Sequence, residues 1–104
     1  MNPSIFLFLA ITLSSPIHWS IKSHESLSFS ILIPKGTSIL SAFETTESSL
    51  LSCSWKDKST GLIGLEQTRT YHCTGFASVS SPTILEMTII NEDDADHTYT
   101  IQQN

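Results

Sequence analysis

Apolar and polar residues alternate in several short runs along this chain. In "SLSFSILIP", Leu27, Phe29, Ile31 and Ile33 fall on one face and Ser28 and Ser30 on the other, which is the pattern of a half-buried strand. "LLSCSW" repeats it, with Leu51, Cys53 and Trp55 sharing a face and Ser52 and Ser54 opposite. "TILEMTII" alternates Leu85, Met87 and Ile89 with Glu86 and Thr88, and its Thr and Ile content favours strand over helix. "TYTIQQ" sets Tyr99 and Ile101 against Thr98, Thr100 and Gln102. Successive side chains of a strand point to opposite faces, so each run predicts one buried face and one wet one.

The segments between these runs carry turn chemistry. Pro34 to Thr37 predicts a turn, because proline presets φ and Gly36 tolerates a positive one; Ser38 to Phe43 is expected to resume an edge strand after it. "KDKSTG", from Lys56 to Gly61, reads as a loop. "LIGL" is a candidate central strand weakened by Gly64. "TRTYHCTGF" places Tyr71 and Cys73 on one face, "ASVSSP" is a small-residue loop, and "NEDDADH" is an acidic turn. Short strands recurring at roughly 8 to 12 residues, with no helix of ordinary length, predict an all-β antiparallel sandwich.

Its 104 residues allow one small domain. The apolar stretch from Ile5 to Ala10, continuing through Ile11 and Leu13, has the length of a signal-peptide core and is too short to span a bilayer. Residues 1–20 are therefore expected to be a signal peptide, with cleavage after Ser20 or Ser23, and residues 24–104 a secreted, soluble domain. The absence of Lys or Arg ahead of the stretch departs from that pattern, and a buried N-terminal strand is the competing reading. In a secretory setting Cys53 and Cys73 read first as a disulfide. Against this stands a buried free thiol at Cys53 with an unpaired or intermolecular Cys73. No later segment is apolar enough to anchor in a membrane.

Charge and motif content then remove functions. Five Lys and Arg against ten Asp and Glu give a net charge of −5, which opposes binding to a phosphate backbone. His18, His24, His72 and His97 are scattered, there is no Gly-x-Ser-x-Gly frame, and no phosphate loop is present, so no enzyme, cofactor or metal site is expected. The run Glu92, Asp93, Asp94 and Asp96 lacks the glycine-centred loop and distal Glu of an EF-hand and reads as a solvated turn. His97 beside it reads as an exposed turn residue. No Asn stands in a glycosylation acceptor.

From Ser48 to Ile101 the order of these segments resembles the immunoglobulin superfamily. "SSLLSCSW" is similar to strand B with its Cys, "LIGLEQ" to strand C, "TILEMTII" to strand E, and "NEDDADHTYTI" to the corner leading into strand F. Within the superfamily, Thr45 and Thr46 before Cys53, then Leu62 and Ile63, then Gln67, resemble the N-terminal domain of the OX-2 membrane glycoprotein family and its herpesvirus relatives. The resemblance implies an immunoglobulin-like sandwich with Trp55 and Tyr99 as core signature residues. It also implies a secreted, immunomodulatory binding module acting on an immune-cell surface receptor or ligand. The alternative is an orphan secreted structural protein, or a receptor fragment, without an activity of its own. Three positions depart from the family: Glu66 stands near the core Trp of strand C, Ala95 at the corner Asp, and Ile101 at the strand F Cys. Trp55 is expected to fill part of the missing Trp volume. With no clear strand G, the last strand is expected to show an open edge through which the chain could self-associate.

Overall fold

The computed structural model describes residues 5–11, 15–57 and 63–104, with side chains over 15–57 and 66–104. The described residues form nine strands in two sheets, namely β1 (Ile5–Ile11), β2 (Ile17–Ile21), β3 (Ser26–Ile33), β4 (Gly36–Glu44), β5 (Leu51–Asp57), β6 (Ile63–Thr70), β7 (His72–Val79), β8 (Thr83–Asn91) and β9 (His97–Gln103). One sheet runs β1-β3-β8-β5-β6 and the other β2-β9-β4-β7. The β1–β3 pair is parallel and all other pairs are antiparallel. This is an all-β sandwich.

The alternating runs supply its core. Leu27, Phe29 and Ile31 of β3 register with Ile89, Met87 and Leu85 of β8, and Cys53 and Trp55 of β5 register with Ile89 and Met87 from the other side. The facing sheet contributes Ile21, Leu40, Ala42, Cys73, Tyr99 and Ile101. Of the expected core residues only Leu85 stays half-buried, packed against that cluster. Strand alternation, which has meaning only if one face is dry, therefore set the register.

The connections set the topology. Among the described strands, β5 and β6 are the one consecutive pair that are neighbours in one sheet, and each other consecutive pair lies in opposite sheets. Pro34 and Lys35 form one such corner, and the next residue, Gly36, has φ +115°, a backbone state that a side chain would strain. Because this corner changes sheets, β4 is an interior strand between β9 and β7, not a resumed edge. The expected central strand around Leu65 is instead β6, an edge strand paired only with β5 among the described strands. From Lys58 onward the loop expected between β5 and β6, and Leu62 after it, lie outside the described residues.

The last strand is not open. β9 lies between β2 and β4, and Asn104 beyond it exchanges two backbone hydrogen bonds with Ile39, each 2.9 Å. The expectation of an edge there left β2 out of the count. Of the segment expected to be a signal peptide, Ile5–Ile11 forms β1 beside β3, and Ile17 to Ser20 form most of β2 beside β9; its remaining residues lie outside the described ones, apart from Ser15 and Pro16.

Cys53 and Cys73 form a disulfide, with Cα atoms 6.4 Å apart. It ties β5 of one sheet to β7 of the other. Tyr71 does not share the buried face of Cys73: it is 61% exposed. Arg69 at φ 50° and the break at Tyr71 between β6 and β7 interrupt the period of two there. Glu66 is exposed, so no carboxylate stands in the core where an immunoglobulin domain has its Trp.

Candidate functional site

β9 enters the sandwich at His97, in register with Ile21 of β2 and two residues before Tyr99 on the same inward face. Strand periodicity therefore drives this imidazole inward, and only 3% of its side chain is exposed. This corrects the reading of His97 as an exposed turn residue. A buried imidazole needs polar partners, and three carboxylates meet it. Nδ1 lies 2.7 Å from Glu44 Oε2 and 3.2 Å from Glu47 Oε1, while Nε2 lies 2.7 Å from Asp93 Oδ2.

Local backbone bonds position two of these carboxylates, those of Glu44 and Asp93. Glu44 ends β4, and its Oε1 accepts the N–H groups of Thr46 at 2.6 Å and Glu47 at 3.3 Å. Asp93 sits in the acidic turn; its Oδ1 accepts the Asp94 N–H at 2.8 Å, and its own N–H donates to Asn91 Oδ1 at 2.9 Å. Fully buried Asn91 donates from Nδ2 to the carbonyls of Ile21 and Ala95, so it clamps the turn to the end of β2. The other acids of the turn are also engaged. Asp96 accepts the Ser23 N–H, Asp94 lies 2.8 Å from His24 Nε2, and Glu92 accepts the Ser52 hydroxyl.

The electrostatics follow from this geometry. Burial works against a charged His97, but hydrogen bonds to Asp93 and Glu44 and their charges outweigh it, so its pKa is raised. Burial also opposes a charged Glu44, yet the Thr46 N–H, His97 and the Glu47 N–H lower its pKa. The His97 hydrogen bond, then the Asp94 N–H, lower that of Asp93. Tyr99, its ring 6.2 Å from that of His97, is pushed up to about 12, first by burial. Its hydroxyl meets Ser49 Oγ at 2.8 Å.

Of the remaining sequence-derived positions, Trp55 and Tyr99 fall into the core and His18 does not. Trp55 is buried beside Met87, and its Nε1 has no hydrogen-bond partner among the described residues. Tyr99 holds the 44–50 connection through Ser49. His18 reaches Thr100 across the outer surface of the second sheet, with Nδ1 3.0 Å from Oγ1.

A second feature lies on that outer surface. Phe76 of β7 is 75% exposed and registers with Ile39 of β4. Four residues along the same pair, beyond Ser41 and Thr74, Phe43 and His72 stack with ring centroids 4.9 Å apart and planes 10° from parallel. Among the described strands β7 is an edge strand, paired with β4 alone. A depression of about 120 Å³ on the opposite sheet, lined by Ser52, Ser54, Glu66 and Thr88 among others, is well below the roughly 300 Å³ at which small-molecule sites begin.

No family model matches the chain, and no curated protein matches it. Solved structures do. The pre-peptidase C-terminal domain of a Bacillus anthracis collagenase is similar over 100% of this chain and 97% of its own, with a TM-score of 0.68 and 11% identity. PliG of Aeromonas hydrophila, a periplasmic inhibitor of g-type lysozyme, is similar over 100% of both chains, with a TM-score of 0.59 and 8% identity. At such identities the likeness is one of fold, and the fold is the β-sandwich described above.

Proposed function

We propose that this chain is a secreted, non-catalytic binding module that takes an extended segment of a protein partner along the β7 edge. The observation that carries the reading is the exposed Phe76 on an edge strand, whose outward face also carries the stacked Phe43 and His72 four residues along the ladder. An edge strand offers unpaired N–H and C=O groups to an added strand, and an exposed aromatic side chain supplies contact area and selectivity; because the Thr74 N–H already donates to Gln67 Oε1 at 2.8 Å, the segment is placed toward the Phe76 end of the strand. β7 has no Lys, Asp, Glu or Pro in "HCTGFASV", the residues that usually guard such an edge. A net charge of −5 makes a second copy a poorer occupant than a neutral or basic partner. The Cys53–Cys73 bridge fits an oxidising compartment. One solved neighbour, the lysozyme inhibitor, is itself periplasmic and binds a protein. An immune-cell receptor or ligand as the partner rests on the sequence resemblance alone.

Capture of leukocyte surface proteins by the purified chain, in parallel with Phe76→Lys and Ile84→Lys, tests this. The expected result is a partner held by the wild type and by Ile84→Lys, a control on the other sheet, and lost by Phe76→Lys. A partner indifferent to Phe76→Lys places the contact elsewhere. Absence of any Phe76-dependent partner leaves the orphan structural reading.

A further inference from the structure

We propose that Glu44, Glu47 and His97 form a binding site for one divalent transition-metal ion of the zinc class, with Asp93 holding the imidazole from its far side. The inference is independent of the β7 contact surface. Its donors are one imidazole nitrogen and two carboxylate oxygens, all within 4.8 Å of one another.

The geometry suits a small tetrahedral ion. Zinc bonds of about 2.0 to 2.1 Å to nitrogen and oxygen place neighbouring ligands roughly 3.3 Å apart. His97 Nδ1 and Glu47 Oε1 already stand 3.2 Å apart, and Nδ1 and Glu44 Oε2 at 2.7 Å would open by about 0.6 Å to meet that spacing. Glu44 is held for a one-oxygen role, since Oε1 is occupied by two backbone N–H groups and Oε2 is turned to the imidazole. Glu47 is the mobile ligand and the route of entry, with 66% of its side chain exposed against 4% for Glu44. The fourth position is left for water.

The far side of the ring completes the case. Metal-bound histidines usually donate their other N–H to a carboxylate, which fixes the tautomer and strengthens the ligand. Asp93 Oδ2, 2.7 Å from Nε2, occupies that place, and Asp93 is itself held by the Asp94 and Asn91 contacts. Without an ion, two carboxylates converge on a ring nitrogen that carries one proton at most, and three carboxylates surround one imidazole. A dication on a neutral imidazole offsets that excess of negative charge better than a proton does. Calcium is the wrong occupant, because it seeks six to eight oxygen ligands and this cluster supplies a nitrogen and two carboxylates.

Calorimetric titration of the chelator-stripped full chain with zinc chloride, with cobalt(II) absorption as a coordination probe, tests the site. One ion per chain and an intense tetrahedral cobalt spectrum are expected. Glu47→Gln, at an exposed position that leaves the metal-free fold intact by circular dichroism, is expected to weaken zinc binding by at least about tenfold, and Asp93→Asn by about 10- to 100-fold. His24→Gln should bind as the wild type does. No binding up to millimolar zinc overturns the proposal. So does binding unchanged by Glu47→Gln and by His97→Gln, because the ion would then sit elsewhere.

Discussion

Reducing the Cys53–Cys73 bridge is expected to cost about 3 kcal/mol and to loosen β7 before any other strand. The two cysteines are 20 residues apart in sequence. For a closed loop of that length the chain-entropy relation gives about 11 cal/mol/K, or about 3.3 kcal/mol at 25 °C. Against a total stability of about 5 to 15 kcal/mol for a single domain, this is a large share. It corresponds to a fall in melting temperature of roughly 13 to 26 °C for a domain of this size. Packing explains where the loss falls. Among the described strands β7 has a ladder partner only in β4, with one further bond from its Thr74 N–H to Gln67 Oε1 of β6 at 2.8 Å, and its inward residues are Cys73, Gly75, Ala77 and Val79. Gly75 adds no side chain to the core, and Ala77 and Val79 are only partly buried, so apolar burial holds β7 weakly and the bridge is its main tie to the facing sheet.

Urea unfolding of oxidised and reduced chain, followed by Trp fluorescence and circular dichroism, gives the stability difference. The slope with urea should rise on reduction, because the uncrosslinked denatured chain exposes more surface. Hydrogen exchange should show β7 amides losing protection ahead of those in β8, which is paired on both sides. A loss below about 1 kcal/mol with an unchanged slope would refute the entropic account. Protection in β7 equal to that in β8 after reduction would refute the claim that the bridge holds the edge.

Asn91→Asp replaces two donors, each 2.9 Å from a carbonyl, with an acceptor at a fully buried site, and is expected to cost about 3 kcal/mol or more in urea unfolding; near-neutral stability would remove Asn91 as the clamp of the acidic turn. Ser49→Ala leaves the Tyr99 hydroxyl buried without its partner at an expected cost of about 1 to 3 kcal/mol, and Tyr99→Phe added to it should recover part of that loss in a double-mutant cycle. In chelator, His97, with a pKa raised above 6.5, should contribute stability that is fully present below that value and lost as pH rises through its folded pKa. Glu44 and Asp93, lowered from 4.5 and 3.8, should contribute stability that is present above those values and lost as pH falls through their folded pKa values. Melting temperature should therefore peak between these limits, and His97→Gln should remove the decline on the alkaline side.

Alternation made the sandwich legible because it reports burial directly. Leu27 to Ile33, Leu51 to Trp55 and Leu85 to Ile89 each place a large apolar face inward, and each forms a strand with that face buried. Alternation says nothing of which strand lies beside which. The corner at Pro34 and Lys35 could therefore be read as a kink within one sheet, although it passes the chain to the other. β7 was opaque for a different reason. Its inward positions are small and its outward Phe76 is large, so residue size points to the wrong face. The order of segments shared with an immunoglobulin domain is likewise a statement about strand intervals, and many sandwiches share those. The bridge does join the two sheets, but through β7.

Half of the His97 site was legible and half was not. His97, Tyr99 and Ile101 stand at alternate positions, so the period that buried Tyr99 already placed the imidazole inward. Four acids in the preceding five residues drew the reading toward solvent, because a run of charges normally sits in water. Asp94 does sit there, with Asp93 partly so. Asp93 nevertheless differs from its neighbours because Asn91 and the Asp94 N–H fix its carboxylate against the ring. Glu44 lies 53 residues away from His97, and only the crossing of β4 into the same sheet as β9 brings it near. A lone Glu at the end of an apolar strand carries no sign of such a partner. The spacing of Glu44 and Glu47 around two hydroxyl residues was the one local hint, since a carboxylate that caps its own following turn has one oxygen left over, and here that oxygen faces a buried imidazole.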